Sequence, residues 1–164
     1  MFPVTSISPR VPARCLSFWR SFVAGQPADE SARFLEAFHF DDHEASADTL
    51  ARLVIAGRKR ATASLLWARE ADHAPVPRPG HLSVVMDFAG RPACIIETTS
   101  VLIVPFVEVD ANFARLEGEG DGSLAHWRDT HWAFFSHEGA RIGRAPSLEM
   151  PVICERFETV YCSL

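Results

Sequence analysis

The chain of 164 residues carries a formal net charge of -5, and 48% of its residues are hydrophobic. Because folded domains commonly span about 100 to 200 residues, this length and composition predict one domain over residues 13–164, preceded by an irregular segment over residues 1–12. The acidic balance argues against a protein that coats duplex DNA, since that binding mode needs a broad basic surface. A local basic pocket remains compatible with it.

The N-terminal stretch MFPVTSISPRVP contains three prolines and no continuous apolar run, so it lacks the hydrophobic region of a secretory signal. No other stretch approaches the roughly 20 apolar residues of a membrane span. We therefore expect a cytoplasmic protein with no membrane partner. The cysteines form no CxxC pair, and Cys94 and Cys154 lie in apolar stretches, which predicts reduced core residues.

Helical periodicity appears in two regions of the chain. The first region contains a predicted helix over residues 12–24, a shorter one over residues 31–38, and a third that carries Leu50 and Leu53 and ends at Gly57. The second contains a short helix capped by Asp110 and a longer helix over residues 123–139. These two helical regions enclose the main block of predicted strands.

Strands are predicted over residues 61–67, 81–88, 92–106 and 151–161, with a hairpin turn at Ala89-Gly90. The stretch from Asp72 to Gly80 contains three prolines and a glycine, which is typical of a loop. The order of helices, strands, helices and a final strand predicts an α+β fold with a mostly antiparallel sheet. The strand over residues 92–106 is long enough to bend around a small barrel.

The segment AGRKRATASLLW places three cations directly after a predicted helix end and three small residues at the start of a predicted strand. Taken alone, this pattern is typical of solvated cations near the negative end of a helix. Under that interpretation, Lys59 is a surface residue and Thr62 an ordinary strand residue.

The segment GRKRATASLLW resembles the signature of the ASCH family, in which a lysine follows a glycine by two residues and a threonine follows the lysine by three. Further matching features occur in the order of the family: Phe18-Trp19, Pro79-Gly80, DFAGRP, ETTSVLIVPFVEV, EGEGDGSLAHWR and VICERFETV. The resemblance extends from about Leu16 to Tyr161. ASCH proteins are related to the RNA-binding PUA-like barrels.

The resemblance implies a small β-barrel with helices packed around a cleft, in which Lys59, Thr62 and Glu117 are the catalytic residues. Family members with demonstrated chemistry hydrolyse the amide of an acylated cytidine or hydrolyse RNA. We therefore expect a hydrolase that acts on an acylated cytidine nucleoside or a related RNA-derived substrate. The alternative is a module that binds or cleaves single-stranded RNA in the same cleft.

The chemistry of these three side chains is consistent with hydrolysis. A threonine hydroxyl is a poor nucleophile until a base takes its proton, and a lysine close to other cations can serve as that base. Arg58 and Arg60 flank Lys59 in this way. Glu117 then orients the attacking group or protonates the departing amine.

The predicted substrate-binding residues are Arg58, Arg60, Ser64 and Trp67. Trp67 and Phe106 flank the signature strand, and aromatic rings there could stack on an unpaired base. Burial in the core is the alternative interpretation for both rings, because strand alternation alone does not decide which face a residue occupies.

No metal or other cofactor is predicted. The segment EGEGDGS has the alternating acids of a calcium loop, but the twelfth position holds Arg128 where such a loop needs a glutamate. His126 and His131 are five residues apart and so point to different faces of a helix. His131 is therefore predicted as a hydrogen-bonded core residue rather than a ligand.

Overall fold

The computed structural model describes residues 10–163 of the chain. Its helices are α1 Leu16–Ala24, α2 Glu44–Ile55, α3 Leu66–Ala71, α4 Ala111–Glu117 and α5 Leu124–Arg141. Its strands are β1 Phe34–Phe38, β2 Ala61–Leu65, β3 Leu82–Met86, β4 Pro92–Pro105 and β5 Pro151–Cys162. Residues 1–9 of the predicted irregular segment lie outside this description, and residues 10–12 form neither helix nor strand.

The strands form a five-stranded sheet in the order β1-β3-β4-β5-β2. β1 runs parallel to β3, whereas the other neighbouring strands are antiparallel. The expected α+β class and mostly antiparallel sheet are confirmed. The sheet is not closed, however, because β1 and β2 form its two edges in the described part of the chain. The expected closed barrel is therefore not seen.

The helix predicted over residues 31–38 is wrong. Ser31–Arg33 form a single 3-10 turn, and the chain then continues as β1, which pairs with Leu82 to Val85 of β3. Apolar residues at positions 34, 35 and 38 fit a helix and a short strand alike. Pairing with the fully buried strand β3 decides in favour of the strand.

The boundary after β2 also differs from the prediction. β2 ends at Leu65, where its pairing with Val152 of β5 ends, and α3 begins at Leu66. Trp67 therefore belongs to a helix rather than to the predicted strand. α5 likewise continues past Gly139 to Arg141, and a side chain at Gly139 would meet the carbonyl oxygen of Arg144 at 2.5 Å. The absence of a side chain at Gly139 therefore lets the chain that follows α5 pack closely against the helix.

The part of the core nearest the candidate site lies between the sheet and the pair α4 and α5. Ala61 of β2 and Val152 of β5 pack there against Phe113 of α4 and against Trp127 and Phe135 of α5. This packing holds the end of α4 next to the start of β2. Within residues 10–163, no helix is long and apolar enough to cross a membrane.

Candidate active site

The backbone around Lys59 is tied to three separate elements. The N–H groups of Arg58 and Lys59 both donate to the carbonyl oxygen of Leu53 in α2, at 2.9 and 3.0 Å. The N–H of Arg60 donates to the carbonyl oxygen of Leu116 in α4 at 2.8 Å. The carbonyl oxygen of Arg60 accepts a hydrogen bond from the N–H of Phe157 in β5. Lys59 therefore lies at a fixed junction of α2, α4 and β5.

Gly118 allows α4 to end against this junction. The residue has a φ of +67°, a left-handed conformation that favours glycine. A Cβ atom at Gly118 would lie 2.5 Å from the carbonyl oxygen of Arg58. The absence of a side chain therefore lets the acidic turn after α4 approach Lys59 closely.

Lys59 is fully buried, contrary to the interpretation that it is a solvated surface cation. Its ammonium donates a hydrogen bond to Oε1 of Glu119 at 2.6 Å and lies 5.1 Å from the centre of the Phe40 ring. A buried ammonium is stable only when its charge is compensated, so Glu119 is the main partner of this cation.

Glu117 is the last residue of α4 and is also buried. Its Oε2 accepts a hydrogen bond from Nε1 of Trp127 at 2.8 Å, and Nε2 of His131 lies 3.1 Å from the same oxygen. Its Oε1 is buried without a hydrogen-bond partner among the described residues. Burial alone would raise the pKa of Glu117, but the charges of Lys59 and His131 and these hydrogen bonds outweigh it and lower the pKa.

His131 is held between Trp127 and Glu117. Its ring stacks on the Trp127 indole with 4.2 Å between ring centres, and Nδ1 lies 2.9 Å from the carbonyl oxygen of Trp127. Burial favours the neutral imidazole, but the charges of Glu117 and Glu119 and the hydrogen bonds to Glu117 and to the Trp127 backbone together outweigh it and raise the pKa of His131. His131 is the hydrogen-bonded, buried residue that the sequence predicts, and it also contacts a catalytic candidate.

A cavity of about 290 Å³ lies beside these residues. Thr62 and Ala63 of β2, Glu117, Glu119 and His131 contribute to its wall. Phe40 and Phe134 supply aromatic surface, and the remaining lining residues are Asp41, His43, Leu50 and Thr130. Lys59 reaches this wall through its ion pair with Glu119.

Thr62 and Glu117 line this cavity and Lys59 is buried beside it, paired with Glu119, whereas the predicted substrate-binding residues lie elsewhere. Among the residues described, the lining of the cavity includes none of Arg58, Arg60, Ser64 and Trp67. Both arginines are exposed beside Lys59. Trp67 packs against the core of α4 and α5, with the guanidinium of Arg144 at 4.6 Å from its ring centre.

Phe106 is buried against Trp127 and Trp132 and therefore offers no stacking face to a ligand. Phe40 and Phe134 lie at the cavity instead. Sequence reasoning also missed the contacts that Glu119 and His131 make. The alternating acids of EGEGDGS indicate Glu119 as a possible calcium ligand, but they do not indicate its ion pair with Lys59.

Glu117, Glu119 and His131 are spaced like a metal-binding group, since one donor atom from each lies within 4.8 Å of the others. Both carboxylates already face cationic side chains, because Lys59 pairs with Glu119 and His131 contacts Glu117. Asp121 is not part of this group, and its Oδ1 accepts a hydrogen bond from the N–H of Ser123. We therefore assign no metal ligands here.

Comparison with known proteins identifies the family. The ASCH domain profile matches residues 36–161. The structure of an ASCH domain from Lactobacillus crispatus JV V101 is similar, with 35% identity, a TM-score of 0.85, and coverage of 92% of this chain and 96% of that chain. A protein from Enterococcus faecalis V583 has 29% identity and a TM-score of 0.82, with coverage of 91% of this chain and 89% of that chain. No curated protein matches the sequence. The profile match and the Lactobacillus structure show that the chain belongs to the ASCH domain family.

Proposed function

We propose that this protein hydrolyses the amide bond of a small acylated nucleoside, an acylated cytidine or a related RNA-derived molecule, in the cavity beside Thr62. The observation that carries the proposal is the ion pair of the buried Lys59 with Glu119, at a cavity wall that Thr62 and the buried carboxylate of Glu117 also form. Burying several charges together is destabilising, and such clusters of buried charges are common at functional sites.

Thr62 is the nucleophile of this proposal. An ammonium cannot accept a proton, so Lys59 first transfers one to Glu119, which is 2.6 Å away. The neutral amine then takes the hydroxyl proton of Thr62 as Oγ1 bonds to the acyl carbon. When the carbon–nitrogen bond breaks, Lys59 returns that proton to the departing amine. Water then hydrolyses the acyl ester, which releases the carboxylic acid and restores the Thr62 hydroxyl, and Glu119 returns its proton to Lys59.

Glu117 serves as a hydrogen-bond acceptor rather than as an acid. Its lowered pKa, caused chiefly by Lys59 and His131 against the opposing effect of burial, keeps it ionised near neutral pH. An ionised carboxylate can orient a substrate N–H group, but it has no proton to donate. The proton for the departing amine therefore comes from Lys59.

The volume and the lining of the cavity support a small substrate. Ligand pockets commonly measure about 300 to 1,000 Å³, and a volume near the lower limit suits a nucleoside better than a folded polymer. Phe40 and Phe134 provide apolar surface for a planar base. Thr130 and His43 add polar groups at the same wall.

The test is incubation of the protein with an N4-acylated cytidine, followed by mass analysis of both the nucleoside and the protein. We expect deacylation by the parent, almost none by Thr62→Ala, and an added acyl mass on the parent when the reaction is quenched early. Ser64→Ala is the matched control, because Ser64 lies on the same strand away from the cavity lining. Full activity in Thr62→Ala would contradict the covalent mechanism.

Binding or cleavage of single-stranded RNA is the second candidate function. The observation that favours it is the exposure of Arg58 and Arg60 on either side of Lys59, in an otherwise acidic chain. Such cations could contact phosphates of a strand whose base enters the cavity. The dependence of binding on salt separates the two candidates.

A further inference from the structure

The two oxygens of the Glu117 carboxylate have unequal surroundings. Oε2 lies within hydrogen-bonding distance of both Trp127 Nε1 and His131 Nε2, whereas Oε1 has no partner among the described residues although it is buried. A buried acceptor without a partner is destabilising, because it has lost its hydrogen bonds to water. Because Glu117 also lines the cavity, a bound molecule is well placed to supply the missing donor.

Both groups that hold Oε2 come from one turn of α5. Trp127 and His131 are four residues apart, so they lie on the same face of the helix, and their rings are stacked with only 13° between their planes. The carbonyl of Trp127 is an acceptor 2.9 Å from Nδ1 of His131, so Nδ1 carries a hydrogen. Nε2 therefore points at Glu117 in a fixed orientation.

We propose that His131 is a positioning residue that, together with Trp127, fixes Oε2 of Glu117 so that Oε1 accepts a hydrogen bond from an N–H group of the bound substrate. This inference rests on the proposed function, because it takes the same cavity as the substrate site. The other charged groups at this wall are Asp41 and Glu119, and Glu119 pairs with Lys59 from the α2–β2 junction.

The proposal restricts the chemistry of the substrate. An ionised carboxylate can only accept hydrogen bonds, so the group opposite Oε1 must be a donor. The N–H of a secondary amide satisfies this requirement, whereas an ester or an N-methylated amide does not. The structure thus favours acyl groups carried on an exocyclic N–H over acyl groups carried on oxygen.

The experiment compares N4-acetylcytidine with its N4-methylated analogue, which differs in the N–H group. Binding is measured by calorimetry and turnover by mass analysis, for the parent and for His131→Phe, which retains a ring against Trp127 but loses both N–H groups. We expect the parent to prefer the N–H compound by about tenfold or more, since hydrogen bonds to charged groups are strong. In His131→Phe the ratio between the N–H compound and the N-methylated compound should fall close to one.

Any steric effect of the methyl group is present in both proteins, so it cancels in the comparison of the two preferences. His131→Gln should restore much of the preference, because its amide N–H can approach Oε2. Trp127→Phe removes the indole N–H that donates to Oε2, and we expect it to weaken the preference for the N–H compound as His131→Phe does. It therefore tests the inference even if His131→Phe does not fold.

The outcomes are distinct. Equal losses on both compounds in His131→Phe would assign His131 a merely structural role and overturn this inference, while the proposed hydrolysis would stand. Binding of N4-acetylcytidine without turnover would overturn the proposed hydrolysis, and a preference sensitive to His131 would still support the inference. Failure of the parent to bind either compound would overturn both.

Discussion

The ammonium of Lys59 lies 2.6 Å from the carboxylate of Glu119, although the two residues are 60 positions apart in the sequence. The pair exists because Gly118 brings the end of α4 against the backbone of Arg58. Glu117, two residues before Glu119, depends on the same cation for part of its charge compensation. The junction therefore couples the folding of α4 to the candidate chemistry.

Lys59→Met should destabilise the protein by about 3 kcal/mol, because it leaves the buried Glu117 and the partly buried Glu119 without the cation that they share. Denaturant unfolding measures this loss. Arg58→Met is the matched control, and replacement of this exposed neighbour should change the free energy of unfolding by no more than about 0.5 kcal/mol. Addition of Glu117→Gln to Lys59→Met should recover part of the loss. A Lys59→Met protein as stable as the parent would show that the burial of this charge has no energetic role.

The Glu117–His131 contact should make stability depend on pH. The lowered pKa of Glu117 gives a contribution that is present above its ordinary value of 4.5 and is lost as pH falls through the folded value. The raised pKa of His131 gives a contribution that is present below its ordinary value of 6.5 and is lost as pH rises through the folded value. Both contributions to stability are therefore present between pH 4.5 and pH 6.5.

Thermal unfolding of the parent and of Glu117→Gln across this range tests the expectation. The difference between their melting temperatures should be largest between pH 4.5 and pH 6.5, and it should become smaller at lower and at higher pH. Glu70→Gln, at an exposed position of α3, serves as the control for the loss of one carboxylate. A difference that does not vary with pH would show that Glu117 and His131 are not a charged pair.

Gly118→Ala should reduce both stability and activity, by roughly 3 kcal/mol in the free energy of unfolding. A left-handed conformation strains alanine, and the added Cβ would also push against Arg58 at the junction with Lys59. Gly122→Ala is the matched control: its φ is +73°, but no atom lies within 4 Å of the added Cβ, so only strain of about 1 kcal/mol is expected. Equal effects of the two substitutions would mean that the contact with Arg58 is unimportant.

Salt dependence should distinguish a nucleoside from RNA. An acylated cytidine carries no phosphate, so its turnover should change little between low and moderate salt, and Arg58→Gln with Arg60→Gln should leave it intact. RNA binding would instead weaken with a slope of about -0.7 per phosphate contact in a plot of log affinity against log salt. The double variant would make that slope shallower by about one to two units.

The control for this comparison is the pair Arg20→Gln and Arg78→Gln, at exposed positions on α1 and in the loop before β3. A steep slope that only the Arg58 and Arg60 substitutions reduce, together with no turnover of any acylated cytidine, would favour the RNA module over the amidohydrolase.

Local sequence patterns were sufficient for most elements. The apolar periodicity of α1, α2 and α5, the Asp110 cap of α4, and the strand patterns of β3, β4 and β5 predict these elements within a few residues of their observed ends. These features depend on neighbouring residues, so they can be recognised without the rest of the fold. The family signature likewise identified Lys59, Thr62 and Glu117 as candidates, although their roles stay predictions.

Tertiary structure decided what these local patterns left ambiguous. Phe34 to Phe38 become a strand because they pair with β3. Phe106 becomes a core residue because Trp127 and Trp132 of α5 pack against it, and Trp67 is partly buried against the same core. The pairing of Lys59 with Glu119 and the orientation of Glu117 by His131 depend on contacts between separate elements. A buried charge is specified by the partners that compensate it, and those partners are assembled only when the helices pack on the sheet.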